Sequence, residues 1–245
     1  MRPIVSSLIL AVVSLLAPLS VKAEEYSSTY ERVMETGTIR CAYFVVPPEF
    51  NKDPNTGEFS GIGYEVTERI GEILDLEIEW VEEISFSNQA QGLKSGRYDA
   101  VCSSVWNKGK LGRVADFTRP FMYTGVGTYV RADDTRFDDN RAAINEPDIK
   151  IAAIEGAGAI PIAENRFPEA EVLSMPGTTS IAQQLRNVAS GKADLAFTYP
   201  ANFKKYTDNN PGELKAVHTD EPVRVFGNTI MVPKGADKFR NMLNT

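Results

Sequence analysis

The chain offers few residues suited to covalent chemistry. Its single histidine, His218, stands alone late in the sequence, so no serine–histidine–aspartate set can be assembled. That histidine and two cysteines far apart in sequence make no metal site. Glu49 and Glu155 follow predicted strands and are the candidates for acid chemistry, which would need a tuned pKa in a cleft; simple solvation is the alternative for both. No glycine-rich phosphate loop follows the first predicted strand, where Val45-Val46-Pro47-Pro48 stands instead. The sequence does supply aromatic and small residues at or just beyond the C-terminal ends of predicted strands: Tyr43, Phe86, Ser103, Ser104, Trp106, Gly156, Ala157 and Tyr199. A polar small molecule in a cleft needs aromatic walls and a few fixed polar groups. For each aromatic the competing explanation is core packing. Cys41 and Cys102 each lie in a short apolar run; an oxidising compartment permits a disulfide, and two buried free thiols fit equally well.

The elements that position these residues are legible from residue 24 onward. Before them, Met1-Arg2, an apolar run over 4–19 and Val21-Lys22-Ala23 have the layout of a secretory signal peptide, 1–23, cleaved after Ala23. The run is short for a bilayer span, which needs ~20 apolar residues. The net charge is −7, and loss of Arg2 and Lys22 makes the mature chain more acidic, a poor match for nucleic acid or an anionic membrane. A chain of 245 residues can form one large domain or two lobes.

Residues 30–35 read as a short helix stopped by Gly37, and 38–44 as a strand. Prolines 47 and 48 leave the sheet, and 53–57 form a turn. Val66, Ile70, Ile73 and Leu74 fall at helical spacing over 64–74, while 76–81 alternate as a half-buried strand. A helix over 88–93, a strand over 100–105 and a long extended segment over 121–131 follow. A second unit repeats the order: strand 149–154, helix within 156–166, strand 170–175, helix 179–190 and strand 191–197, with a return strand over 225–232. Alternating strands and helices predict an α/β fold with mostly parallel sheets covered by helices.

Two segments carry a resemblance. Gly61-Ile62-Gly63-Tyr64-Glu65-Val66-Thr67-Glu68-Arg69-Ile70-Gly71-Glu72-Ile73-Leu74 opens a helix. Gly96-Arg97-Tyr98-Asp99-Ala100-Val101-Cys102 runs on to Ala115-Asp116-Phe117-Thr118-Arg119-Pro120-Phe121 and is echoed by Gly191-Lys192-Ala193-Asp194-Leu195-Ala196-Phe197. Together they resemble the extracytoplasmic solute-binding proteins of ABC transporters, polar amino-acid-binding family (family 3), over nearly all of the mature chain. The resemblance implies a two-lobed periplasmic-binding-protein type II fold joined by two crossing strands, with residues 24–128 and 229–245 as the first lobe and 129–228 as the second. It also implies a monomer in the periplasm that closes on a small-molecule ligand and docks on a membrane permease, with no cofactor and no nucleic acid. The strands of Cys41 and Cys102 become neighbours, so the thiols can meet. The chain stops at Thr245, about one helix before such proteins usually end, which is expected of a natural short form or, in preference, of a fragment.

The resemblance also locates the site and its departures. Phe86 stands seven residues before Leu93, as the ligand-stacking aromatic of the family does. The arginine that grips a ligand carboxylate in two bonds falls at Leu111, leaving Arg113 as a shifted candidate. A Gly-Thr pair becomes Gly156-Ala157, and the aspartate that pairs with the ligand amine becomes Tyr199. A buried ammonium without a carboxylate is costly, so a neutral or weakly polar solute fits these residues better than a zwitterion. The expected function is capture and delivery of an amino acid or related organic solute. The alternatives are a ligand-sensing accessory protein or an enzyme of the cyclohexadienyl dehydratase type.

Overall fold

The computed structural model describes residues 26–244, and the signal-peptide expectation lies outside them. Helix α1 (Thr29–Thr36) starts where the Ser28 hydroxyl accepts from the Glu31 N–H at 3.2 Å, and stops at Gly37. Strand β1 (Thr38–Tyr43) follows, then a hairpin of β2 (Asn51–Lys52) and β3 (Phe59–Ser60). The Asp53 carboxylate makes its turn by accepting from the N–H groups of Asn55 and Thr56 at 2.8 and 2.9 Å. Helix α2 (Ile62–Leu74) and strand β4 (Glu77–Glu83) match the predicted periodicities, with Ile78 and Trp80 on the covered face of β4. Helix α3 (Gln91–Ser95) begins three residues later than expected, because Asn88 accepts from the Ser85 N–H at 3.0 Å and holds a turn. Strands β5 (Ala100–Trp106), β6 (Ala115–Phe117) and β7 (Met122–Arg131) complete this part.

The second unit contains β8 (Lys150–Ile154), α4 (Ala159–Arg166), β9 (Glu171–Met175), α5 (Ile181–Ala189) and β10 (Leu195–Thr198). Helix α6 (Pro200–Asn209), strand β11 (Leu214–Val217), strand β12 (Arg224–Pro233) and helix α7 (Asp237–Met242) end the described chain. The strands run in the order β4-β1-β5-β12-β7-β10-β8-β9, with β6 on β12 and β11 on β7. In one lobe β1 lies parallel to β4 and β5, and in the other β8 lies parallel to β9 and β10. Each of these sheets is extended by a long antiparallel strand, β12 or β7. The two long strands pair with each other from Arg224↔Val126 to Asn228↔Met122, and so join the lobes. Each lobe has its own apolar core: Ile151, Ile162, Leu195 and Phe197 in one, Ile39, Cys41, Ile230 and Phe239 in the other. No described helix is long and apolar enough to cross a membrane.

The repeated Gly-x-x-Asp segment has a structural job. Asp99 accepts from the backbone N–H of Arg40 at 2.8 Å, and from the guanidinium groups of Arg40 and Arg32, both at 2.9 Å. Asp194 repeats the move, accepting from the Lys150 N–H at 2.8 Å and from Arg136 at 2.5 Å. Each aspartate ties the start of one strand to its parallel neighbour. The Asp99 side chain is only 3% exposed, so Asp99→Ala leaves Arg32 and Arg40 half-buried without their counter-charge. Breaking a pair of this kind costs about 3–5 kcal/mol; the expected loss, read by urea denaturation, is about 3 kcal/mol because the arginines keep some water.

Cys41 and Cys102 are joined by a disulfide with a Cα–Cα distance of 5.7 Å. Cys41 of β1 lies opposite Ala100 of β5, and Cys102, two residues further on, projects from the same face of the sheet.

Candidate functional site

The C-terminal ends of the parallel strands of both lobes face one cavity, as open parallel sheets require. From the first lobe come Phe44, beyond β1; Phe86 and Gln89, beyond β4; and Ser104, Trp106 and Lys108, at the end of β5. From the second come Ala157, Gly158 and Ala159, beyond β8; Ile181 and Gln184, on α5; and Phe197, Thr198 and Tyr199, ending β10. The cavity is nearly shut, with about 40 Å³ of free volume. Two larger spaces of about 400 and 300 Å³ adjoin it, and Phe86 borders all three.

Contacts across the lobes keep it shut. The Phe86 N–H donates to the Gly177 carbonyl at 3.3 Å. The Gly156 carbonyl accepts from the Gln89 amide at 3.3 Å and from the Lys108 ammonium. Lys110 pairs with Glu164 at 2.8 Å. Trp106 stacks on Phe226 of β12 with centroids 4.3 Å apart and lies 4.8 Å from Tyr199. The glycines permit this approach: a Cβ on Gly177 would stand 2.5 Å from Ser87 Oγ, and one on Gly156 only 2.0 Å from the Phe86 carbonyl oxygen.

Several buried polar atoms at the site lack a protein partner. They are Ser104 Oγ, Trp106 Nε1 and Gln89 Oε1 in the wall, and Glu49 Oε2 nearby. Ser104 also holds a left-handed backbone, φ +62°, which is uncommon for a residue with a side chain. Burial lowers the Lys108 ammonium to about 8, although the side chain keeps some solvent contact. Burial raises the Tyr199 phenol well above its ordinary value, with a smaller push from the Glu49 charge.

Burial likewise raises Glu49 from 4.5 to about 7. The folded protein therefore keeps a proton that the unfolded chain releases. Stability from this group is complete below pH 4.5, is lost as pH rises toward 7, and is flat above that. The expected loss is about 3 kcal/mol. Glu49→Gln removes it, so the stability difference between variant and parent shifts by that amount between pH 4 and pH 8 in denaturant titrations. An unchanged difference would contradict burial of an ionisable carboxyl there.

Of the expected site residues, Phe86, Ser104, Trp106, Ala157 and Tyr199 meet at the cavity wall. Gly156 borders an adjoining space and supplies its carbonyl to the closure. Three expectations need correction. Tyr43 faces away from the cavity, packed 5.2 Å from Phe50 and 4.9 Å from Phe59, with its hydroxyl accepting from Lys52 at 2.9 Å. Successive side chains of an extended chain point to opposite sides, so its neighbour Phe44 reaches the wall. Ser103 is wholly buried, its hydroxyl accepting from the Phe44 N–H at 2.9 Å. Arg113 is exposed on a 3-10 turn, Leu111–Arg113, and does not reach the cavity. The cation that does is Lys108, whose one sequence signal is its place two residues beyond Trp106. Gln89 has no comparable signal, because its partner Gly156 belongs to the other lobe. Glu155 is exposed, and Glu49 does not line the cavity. Among the described residues no cluster of histidine, cysteine or acidic side chains is arranged to hold a metal ion.

Comparison with known proteins gives the same architecture. The family model described as bacterial extracellular solute-binding proteins, family 3, matches residues 39–245. Cyclohexadienyl dehydratase of Pseudomonas aeruginosa is 24% identical over 225 residues, covering 92% of this chain and 81% of its own. The probable amino-acid-binding protein YxeM of Bacillus subtilis is 25% identical over 188 residues, covering 76% and 67%. The crystal structure of the ancestral amino acid-binding protein AncCDT-1, a precursor of cyclohexadienyl dehydratase, superposes with a TM-score of 0.73 at 23% identity, covering 89% of this chain and 91% of that one.

Proposed function

Because the chain belongs to the bacterial extracellular solute-binding proteins, family 3, we propose that it captures an amino acid or related organic solute between its lobes and hands it to the permease of an ABC transporter. The observation that carries this reading is convergence: strand ends from both lobes supply one cavity wall, and three of its residues carry buried polar atoms without a protein partner. Capture requires the lobes to part, since about 40 Å³ has room for a few waters and not for an organic solute. The pairing of β7 with β12 is the natural hinge. The lobe limits that go with this motion are 24–128 with 229–245, and 129–228. The protein acts as a periplasmic monomer after removal of residues 1–23.

Catalysis is not part of this proposal, although a dehydratase is among the relatives. Acid chemistry needs a carboxyl group at the substrate, whereas the cavity wall itself carries none: Glu155 borders only an adjoining space, and Glu49 stands outside the wall. A thermal-shift screen of the chain from Glu24 onward tests capture. A solute at a hundred times its dissociation constant adds about 2.7 kcal/mol, a rise of roughly 5–10 °C for a chain of this size. A cooperative melt that no solute moves would overturn the reading.

A further inference from the structure

We propose that the solute is an organic carboxylate lacking an α-ammonium group, held by Lys108, the Ser104 hydroxyl and the Trp106 indole N–H. This inference rests on the solute-capture reading and narrows it.

The argument starts from charge. Lys108 is the one charged side chain in the cavity wall. No acid shares that wall with it, and Glu155 borders only the adjoining space; the ammonium donates to the Gly156 carbonyl, which uses one of its three N–H donors. A crowded ammonium with spare donors and no counter-charge calls for an anion. Burial alone, with no acid opposing it, lowers its proton affinity, in line with that vacancy of charge.

Hydrogen-bond chemistry points the same way. Ser104 is 1% exposed, and its hydroxyl has no partner. The Trp106 N–H, a donor only, is also unpartnered. Two carboxylate oxygens, with about four lone-pair positions, can accept from Lys108, Ser104 and Trp106 together. The unpaired acceptor in the wall is Gln89 Oε1. One acceptor suits a single donor, such as a hydroxyl or amide N–H; an α-ammonium brings three donors and a charge that Lys108 repels. The body of the solute then lies among Phe44, Phe86 and Tyr199, which ask for an apolar or planar group.

The test uses matched triplets in isothermal titration calorimetry. One is 3-phenylpropionate, 3-phenylpropionamide and L-phenylalanine; the other is 4-methylvalerate, 4-methylvaleramide and L-leucine. The acid is expected to bind at least ~10-fold tighter than its amide and its amino acid, the usual worth of a charge-assisted bond. Lys108→Met is expected to erase the preference for acid over amide, and Lys108→Arg to keep it. A lysine that only latches the lobes would weaken all three compounds alike and leave the preference intact, which overturns the proposal. Tighter binding of the amino acids, or equal binding of acid and amide, also overturns it while leaving solute capture standing. Failure of all six at millimolar concentration overturns it as well; a shift by sugars or amines in the thermal screen would then show that capture itself survives.

Discussion

Gly156→Ala is expected to leave the protein folded and to weaken solute binding about 100-fold or more. The Cβ added there would lie 2.0 Å from the Phe86 carbonyl oxygen, 2.3 Å from its carbon and 2.7 Å from the Ser87 nitrogen. All three are backbone atoms of the opposing lobe, so no side-chain rotation relieves the clash. Parting the lobes does. If the closed state falls to one molecule in a hundred, apparent affinity falls by about the same factor, since only the competent fraction binds tightly. A second cost must be separated from this one. Gly156 has φ +78°, where an alanine costs about 1–2 kcal/mol through local strain. Gly212 has the same φ, and a Cβ there meets nothing within 4 Å. Gly212→Ala therefore carries the strain alone and should lower stability without changing affinity. Calorimetry measures the affinities, and small-angle scattering with saturating solute reads whether the lobes still close. Equal affinity for the Gly156 variant and its parent would mean that the solute is not held in the closed arrangement seen here.

This prediction shows where sequence reading stops. The alternation of strands and helices was legible because each period belongs to one short segment: Val66, Ile70 and Ile73 on α2, or Ile78 and Trp80 on β4. The repeated Gly-x-x-Asp segment was legible as an echo, although the tie from Asp99 to Arg32 and Arg40 spans up to 67 residues. Strand β11 was missed, being four residues long and made a strand by its distant partner on β7. Helix α6 was missed too; Lys204, Lys205 and Asp208 blur its apolar face. Within the site, the wrong choice of Tyr43 over Phe44 is a one-residue error, and in extended chain one residue reverses the direction of a side chain. The latch of Gln89 and Lys108 on Gly156 depends on how two lobes meet, and no local pattern records that.

Removing the disulfide is expected to lower the melting temperature by roughly 10 °C, through the first lobe. The bond closes a loop across a sequence separation of 61 residues, which contains α2, β4 and α3, most of that lobe's covering structure. Chain entropy for a loop of that length amounts to about 4 kcal/mol, and a chain of this size loses roughly 2–4 °C per kcal/mol. The double variant Cys41→Ala/Cys102→Ala is the proper comparison. Both sulfurs are buried among Val33, Ile39, Ile230 and Phe239, so an alanine pair removes the link without placing a polar group in the core. Scanning calorimetry then has a second use. The second lobe's described residues contain no cysteine. If the pairing of β7 with β12 makes the lobes unfold as one, the whole transition moves down together. If the lobes unfold separately, one component moves and the other stays. A melting temperature within about 2 °C of the parent's would show that the β1–β5 pairing and its apolar cover hold the first lobe without the covalent link.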